Sequence, residues 1–410
     1  MKSGWKIGTL FGIPLYIDSS WLFILVLMTF SYSLSWQGLY PEWSTTLAWV
    51  AGFTMAVLLF ASVLLHELGH SLVARSQGIK VNSITLFLFG GIASIEQESK
   101  TPGQAFQVAI AGPAVSFSLA LLLTLGHQFL PLPNSVGVIA ESLAFINLVL
   151  ALFNLIPGLP LDGGQVLKSV VWKITGSRFQ GVHWAARSGK FLGWSAISLG
   201  IFGYLMTSRL LPWAWIGLLG WFGVRNANAY DRLTDLQEAL TSLTAADAMT
   251  REFRVVDADM TLRSFADEYL LGENRPPVYF AASDGRYRGM VLIEDLRQTE
   301  RSLWERETLN AIARPLAQIP SVQEKSSLVT VINLLEDQQL ARLTVLTPAG
   351  AVAGVIDRGD TVRALAERLN LAITDAEIKR IKEEGSYPPG FQLQAIARTA
   401  NVETVTESAP

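Results

Sequence analysis

The chain has 410 residues, no cysteine and a formal net charge of −3, but the charge is unevenly spread. Residues 1–230 hold 12 Lys/Arg and 7 Asp/Glu, a net of +5, while residues 231–410 hold the other 20 and 28, a net of −8. The missing cysteines exclude disulfides, Cys-ligated zinc, iron–sulfur clusters and thiol catalysis, and so few charges in 230 residues exclude a water-soluble domain of that size. The first part, with eleven of the twelve tryptophans, belongs in a bilayer and the second in water. Nothing in this balance calls for nucleic acid as a partner.

Taken in chain order, segment 7–18 (IGTLFGIPLYID) is rich in β-formers with Gly and Pro at turn positions. Interrupted by glycines and Asp18, without a small-residue cleavage site, the N-terminus reads as mature protein rather than a removable signal. Charge-poor apolar stretches long enough to span a membrane follow near 19–36, 46–75, 105–130, 137–157, 189–207 and 210–226, the second over-long and holding ionisable residues. Between the second and third lies VNSITLFLFGGIASIE (81–96), which reads as a hairpin around Gly90-Gly91. Strand backbone enters a membrane only where protein or water satisfies its peptide groups; interfacial loops are the equal alternative for both β segments. The fold class expected is a polytopic α-helical membrane protein of about six spans with short membrane-associated strands, followed by a soluble α/β part.

The connections sort by charge. Lys2, Lys6, Arg75, Lys80, Lys100, Lys168, Lys173, Arg178, Arg187, Lys190 and Arg225 fall on the side of the N-terminus, and Arg209 on the other. Basic residues stay in the cytoplasm during insertion. The expectation is a multi-pass protein of a bacterial-type plasma membrane with both termini cytoplasmic. Trp36, Tyr40, Trp43, Trp213 and Trp215 fit an outer aromatic belt.

His66, Glu67 and His70 form HELGH inside the second span. Four positions apart on a helix, the two imidazoles leave one face a single turn apart, a spacing that suits two ligands of one Zn²⁺ with Glu67 beside its water. Ionisable groups in a span are costly unless they pair or bind something. A catalytic zinc usually takes a third protein ligand, which here must reach His66, about 14 Å from the cytoplasmic end of its helix. Glu141 enters at the outer end of its span, and Asp18 before Ser19 and Ser20 reads as a helix cap. His127 and His183 read as interfacial. Asp162 in NLIPGLPLDGG (154–164) remains, with Pro157 and Pro160 ending regular helix and Gly163-Gly164 giving freedom to turn a carboxylate inward. An ordinary turn cap is the competing reading of Asp162. Two neutral imidazoles, the carboxylates of Asp162 and Glu67 and one divalent ion sum to zero charge, which favours the ligand.

HELGH in a span, AGP (111–113) opening the third and NLIPGLPLDGG after the fourth resemble the site-2 protease family of intramembrane zinc metalloproteases, over roughly residues 5–225. The resemblance implies zinc, one per chain, held by His66, His70 and Asp162, with Glu67 as the catalytic glutamate and Asn154 handling substrate. Its substrates would be membrane-spanning proteins within the lipid bilayer. Many bacterial relatives insert a PDZ domain between spans, and none is visible in this sequence. Glu67 would take a proton from water and pass it to the departing nitrogen. A helical substrate must unwind first, and strands 7–17 and 81–95 are the candidates to hold it extended.

Residues 242–368 contain a repeat, with units 242–300 and 307–368. GMVLIEDLR (289–297) corresponds to GVIDRGDTVR (354–363), so that Gly289 and Gly354, like Asp295 and Asp360, stand 65 apart. Strands VYFAA (278–282) and LTVLT (343–347) precede them, and helical stretches near 261–271 and 326–338 precede those. Each unit reads strand–helix–strand–strand–helix, and two can bury one core. This resembles a tandem pair of CBS domains, which implies an adenine nucleotide held by Asp295 and Asp360 in the cleft. Leu292 and Asp357 stand where a hydroxyl residue is usual, and Asp357 would repel a phosphate; a homodimerising module without ligand is the alternative. Residues 371–410 read as a polar tail with a short helix at 374–384 and a disordered end, TANVETVTESAP. Two further function classes compete with the protease, a proteolytically silent metal-binding scaffold and a CBS-gated transporter.

Overall fold

The structure of the chain is a computed structural model and describes residues 4–88, 90–271, 278–387 and 393–398. The chain divides into two compact units that part between Thr234 and Asp235. The expected disordered end, TANVETVTESAP, lies outside the described residues.

In the first unit, β1 (Trp5–Leu10) and β2 (Ile13–Ile17) form a hairpin. Phe11 and Gly12 both take positive φ, 50° and 76°, as a two-residue turn demands. Asp18 then caps α1 (Ser19–Leu39), its Oδ1 accepting from the Ser20 N–H at 2.9 Å and the Ser20 hydroxyl at 2.6 Å. Ser44 caps α2 (Thr45–Ser76), after which β3 (Val81–Phe87) pairs antiparallel with β4 (Gly90–Ile95). Gly90 and Gly91 therefore open β4 rather than form the bend of the hairpin. The two β segments are one sheet, order β1-β2-β3-β4, because β2 pairs in parallel with β3 through Leu15–Ile84 and Ile17–Leu86. Its buried side, Ile13, Leu15 and Ile84, packs on Leu68 and Ala74 of α2. The two segments are thus strands rather than loops, held by the packing of this face on α2.

The remaining helices are α3 (Pro102–Phe129), α4 (Asn134–Asn154), α5 (Asp162–Thr175), α6 (Arg178–Thr207) and α7 (Leu210–Ser242). Among the described residues, α1 to α4 are long and apolar enough to cross a membrane. The fifth and sixth expected spans lie within α6 and α7, which are long enough but are not among those four. Glycines bring α6 and α7 together: a Cβ at Gly193 would stand 2.7 Å from Gly220 O, and one at Gly200 2.7 Å from Trp213 O. Small residues at such crossings let backbones approach closely where no hydrophobic effect drives association.

The second unit runs α8 (Ala245–Ala248), β5 (Phe253–Asp257), α9 (Leu262–Tyr269), β6 (Val278–Ser283), β7 (Arg286–Val291), α10 (Ile293–Gln298) and α11 (Leu309–Ile312). It continues with β8 (Ser321–Gln323), α12 (Leu328–Asp337), β9 (Arg342–Leu346), β10 (Val352–Asp357), α13 (Arg358–Arg368) and α14 (Asp375–Glu384). Each repeat is a strand–helix–strand–strand–helix unit with its first two strands parallel and its last two antiparallel. The repeats exchange bridges, Thr250 with Val355 and Arg314 with Met290, and share a core of Val278, Phe280, Ile319, Val352 and Val355. Beyond residue 371 the chain is not a loose tail throughout. Ile381 of α14, with Leu393 and Ala397, is buried in the core of the second repeat. The apolar positions are sparse enough that this stretch reads as merely polar in the sequence.

Candidate metal centre

HELGH occupies the inner face of α2, where His66 and His70 are 4% and 9% exposed. Asp162 arrives from the other end of the bundle's sequence. α4 stops at Asn154, and the segment holding Pro157 and Pro160 turns the chain until α5 begins at Asp162 itself. Leu161 is the N-cap and no side chain caps this helix, so Asp162 is not a cap. Its Oδ2 lies 3.1 Å from His66 Nε2 and 3.4 Å from His70 Nε2, and the two Nε2 atoms are 3.3 Å apart. The freedom expected of Gly163 and Gly164 is not what the site uses. Both sit inside α5 without positive φ, and they permit close contact: a Cβ would come within 2.2 Å of Leu155 O or 2.4 Å of Leu159 N.

α3 supplies no member of the three-donor cluster yet shapes the centre. A Cβ on Gly112 would stand 2.2 Å from His70 Nε2 and 2.6 Å from His66 Nε2, so glycine keeps open the space onto which both nitrogens face. His70 Nδ1 lies 2.6 Å from the carbonyl of Val108, and His66 Nδ1 lies 2.9 Å from Ser116 Oγ. Pro113 inside the helix removes the N–H that would bond the carbonyl of residue 109. Two imidazole nitrogens and one carboxylate oxygen, all within 4.8 Å, form a donor set of the kind zinc prefers, and the cradle at Gly112 leaves it room.

Glu67 faces β4. A Cβ on Gly91 would lie 2.5 Å from Glu67 Cγ and 3.5 Å from its Oε1, so only glycine lets the strand pass this closely. Asn154 is the last residue of α4, half-buried, and is not a member of the three-residue cluster. His183 bonds Asp231 at 2.6 Å, His127 and Glu141 are exposed, and none of these joins the cluster. In the second unit Asp295 and Asp360 stay apart from one another's partners. Arg314 grips Asp295 with two bonds of 2.6 and 2.7 Å. Asp360, 1% exposed, closes a capping box with Asp357 and meets Lys382 of α14 at 2.8 Å. Ser116, Val108, the buried pair Asn147 to Ser62, at 3.0 Å, and the contact of Gly91 with Glu67 escape a reading of sequence, since each depends on which elements touch.

The family model described as peptidase family M50 matches residues 54–137 and 131–193. A protein of Synechocystis sp. that carries a zinc metalloprotease name is 43% identical over 368 residues, covering 89% of this chain and 96% of its own length. The chain belongs to peptidase family M50, the site-2 proteases. As a site-2 protease it is an intramembrane zinc endopeptidase, acting on membrane proteins in a lipid environment. The zinc metalloprotease Rip3 of Mycobacterium tuberculosis is another such relative, 32% identical over 89% of this chain and 93% of its own. Among solved structures, this site-2 protease is similar to the site-2 protease from Methanocaldococcus jannaschii, with a TM-score of 0.39 and 26% identity over 56% of this chain and 95% of that one. It is also similar to CBSX2 in complex with AMP, with a TM-score of 0.26 and 21% identity over 31% of this chain and 98% of that one.

Proposed function

We propose that His66, His70 and Asp162 hold the single zinc ion of the protease and that Glu67 moves the protons of hydrolysis. The observation that carries this is the convergence of three donors from α2 and α5 on the gap left by Gly112. When bound, zinc supplies a Lewis acid that acidifies water and polarises a peptide carbonyl. Glu67 accepts the proton of the attacking water and returns it to the departing nitrogen. Glu67 adjoins His66 in the chain and is not a member of the three-donor cluster.

A helical substrate hides its peptide groups, so a stretch of it must be held extended. β4 stands at the edge of the sheet, directly over Glu67, and offers its backbone to an added strand. Asn154 binds a peptide group of the unwound segment. The substrates are single-span proteins that release cytoplasmic fragments. The charge distribution supports a bacterial-type plasma membrane with both termini in the cytoplasm. We assign residues 1–230 to the protease and 242–368 to a CBS pair that regulates it, with homodimers formed through the pair. An adenine nucleotide at the pair would have to compete with Arg314 for Asp295 and with Lys382 for Asp360.

The test is cleavage of a model single-span substrate by the full-length protein and by Glu67→Gln. The variant keeps its zinc and loses about 10²–10⁴ in rate. Unchanged cleavage by Glu67→Gln removes Glu67 from the chemistry. A wild type that holds zinc and cuts nothing favours the silent scaffold.

A further inference from the structure

Both imidazoles of the metal centre are held from behind by α3, but by different kinds of partner. His70 Nδ1 meets a backbone carbonyl, Val108 O, while His66 Nδ1 meets a hydroxyl, Ser116 Oγ. Ser116 is 0% exposed and lies one helical turn beyond Gly112, so the same face of α3 supplies the open space and the hydrogen bond.

We propose that Ser116 is a positioning residue of the zinc centre, accepting the Nδ1 proton of His66 so that its Nε2 lone pair faces the ion. The proposal rests on the zinc assignment made above. A neutral imidazole carries its proton on one nitrogen only, and a ring that ligates through Nε2 must carry it on Nδ1. A carbonyl can only accept, so Val108 fixes this tautomer for His70. For His66 the choice is contested, because Asp162 Oδ2, 3.1 Å from Nε2, would accept a proton placed there. That tautomer withdraws a nitrogen and a carboxylate oxygen from the metal together. Ser116 opposes it when its own hydroxyl proton is turned to a carbonyl of the preceding helical turn, as serines inside helices commonly do, which leaves its oxygen to accept the Nδ1 proton. A serine on a crowded helix also serves as a small packing residue, but alanine would serve as well, and this separates the two roles.

The experiment uses the full-length protein in detergent. Zinc affinity is measured by competition with a chromophoric chelator for wild type, Ser116→Ala and Ser116→Thr, alongside the melting temperature of each after metal removal. Ser116→Ala should bind zinc about 10–100-fold more weakly, with the metal-free melting temperature unchanged and the affinity recovered in Ser116→Thr. Affinity within twofold of wild type in Ser116→Ala overturns the proposal. So does a weaker affinity accompanied by a lower metal-free melting temperature, which marks a packing role. A wild type that binds no zinc at this centre overturns the metal assignment itself, and is told apart by the untreated protein alone.

Discussion

His66 Nε2 and Asp162 Oδ2 stand 3.1 Å apart although 96 positions separate them in the chain. Each comes from a different helix, and what lets them meet is the absence of a side chain on a third. Gly112 of α3 leaves the space in front of both histidine Nε2 atoms, and a Cβ there would lie at 2.2 and 2.6 Å from them. Gly112→Ala is therefore expected to expel the metal while leaving the helices formed. Metal analysis of the purified variant should find zinc lost, and cleavage should fall by about 100-fold or more, since misplacement of a centre by 1 Å has that effect.

Gly91 makes the second close approach, 2.5 Å from its would-be Cβ to Glu67 Cγ. Gly91→Val pushes β4 away from Glu67 and changes the strand edge offered to substrate, but it touches none of the three metal donors. The expected result is a loss of cleavage of about 10-fold or more with zinc content unchanged. Cleavage equal to wild type would remove β4 from substrate binding.

On α7, Asp231 lies between Lys190 Nζ at 2.5 Å and His183 Nδ1 at 2.6 Å, both from α6. Burial pushes its carboxyl up, but the bonds from Lys190 and His183 outweigh this and hold it below the usual carboxylate range. A carboxylate depressed in the folded state stabilises above its unfolded pKa of about 3.9, and that stability is lost as pH falls through the folded value. Asp231→Asn should cost about 0.5–1 kcal/mol at pH 7, as for a part-buried pair that solvent still screens. The gap in melting temperature between the two proteins should close below about pH 4. A gap that is the same at pH 7 and pH 3 would show that the ionised form contributes nothing.

What could be read from the sequence was whatever is local. His66 and His70 are one helical turn apart, so their shared face follows from helix geometry alone. The repeat at 65 residues likewise carries its own evidence, and the units at β5 to α10 and β8 to α13 have the expected order. What depends on packing stayed hidden. Nothing near residues 7–18 announces that Leu15 will pair with Ile84. Gly90-Gly91 looks like a turn because glycine favours turns, whereas Gly91 is needed in a strand for contact with Glu67. Gly163-Gly164 misleads in the same way. Ser116 is 50 positions from His66 and carries no signal of its partner.

The most direct measurement is the zinc content of the purified full-length protein beside that of Asp162→Ala, with cleavage of a single-span substrate followed in both. The account predicts one zinc per wild-type chain, and in Asp162→Ala a loss of both metal and cleavage, with the helical content kept. Asp162→Ala protein that retains its full zinc and cuts as wild type does would contradict it, because the third ligand would then lie elsewhere.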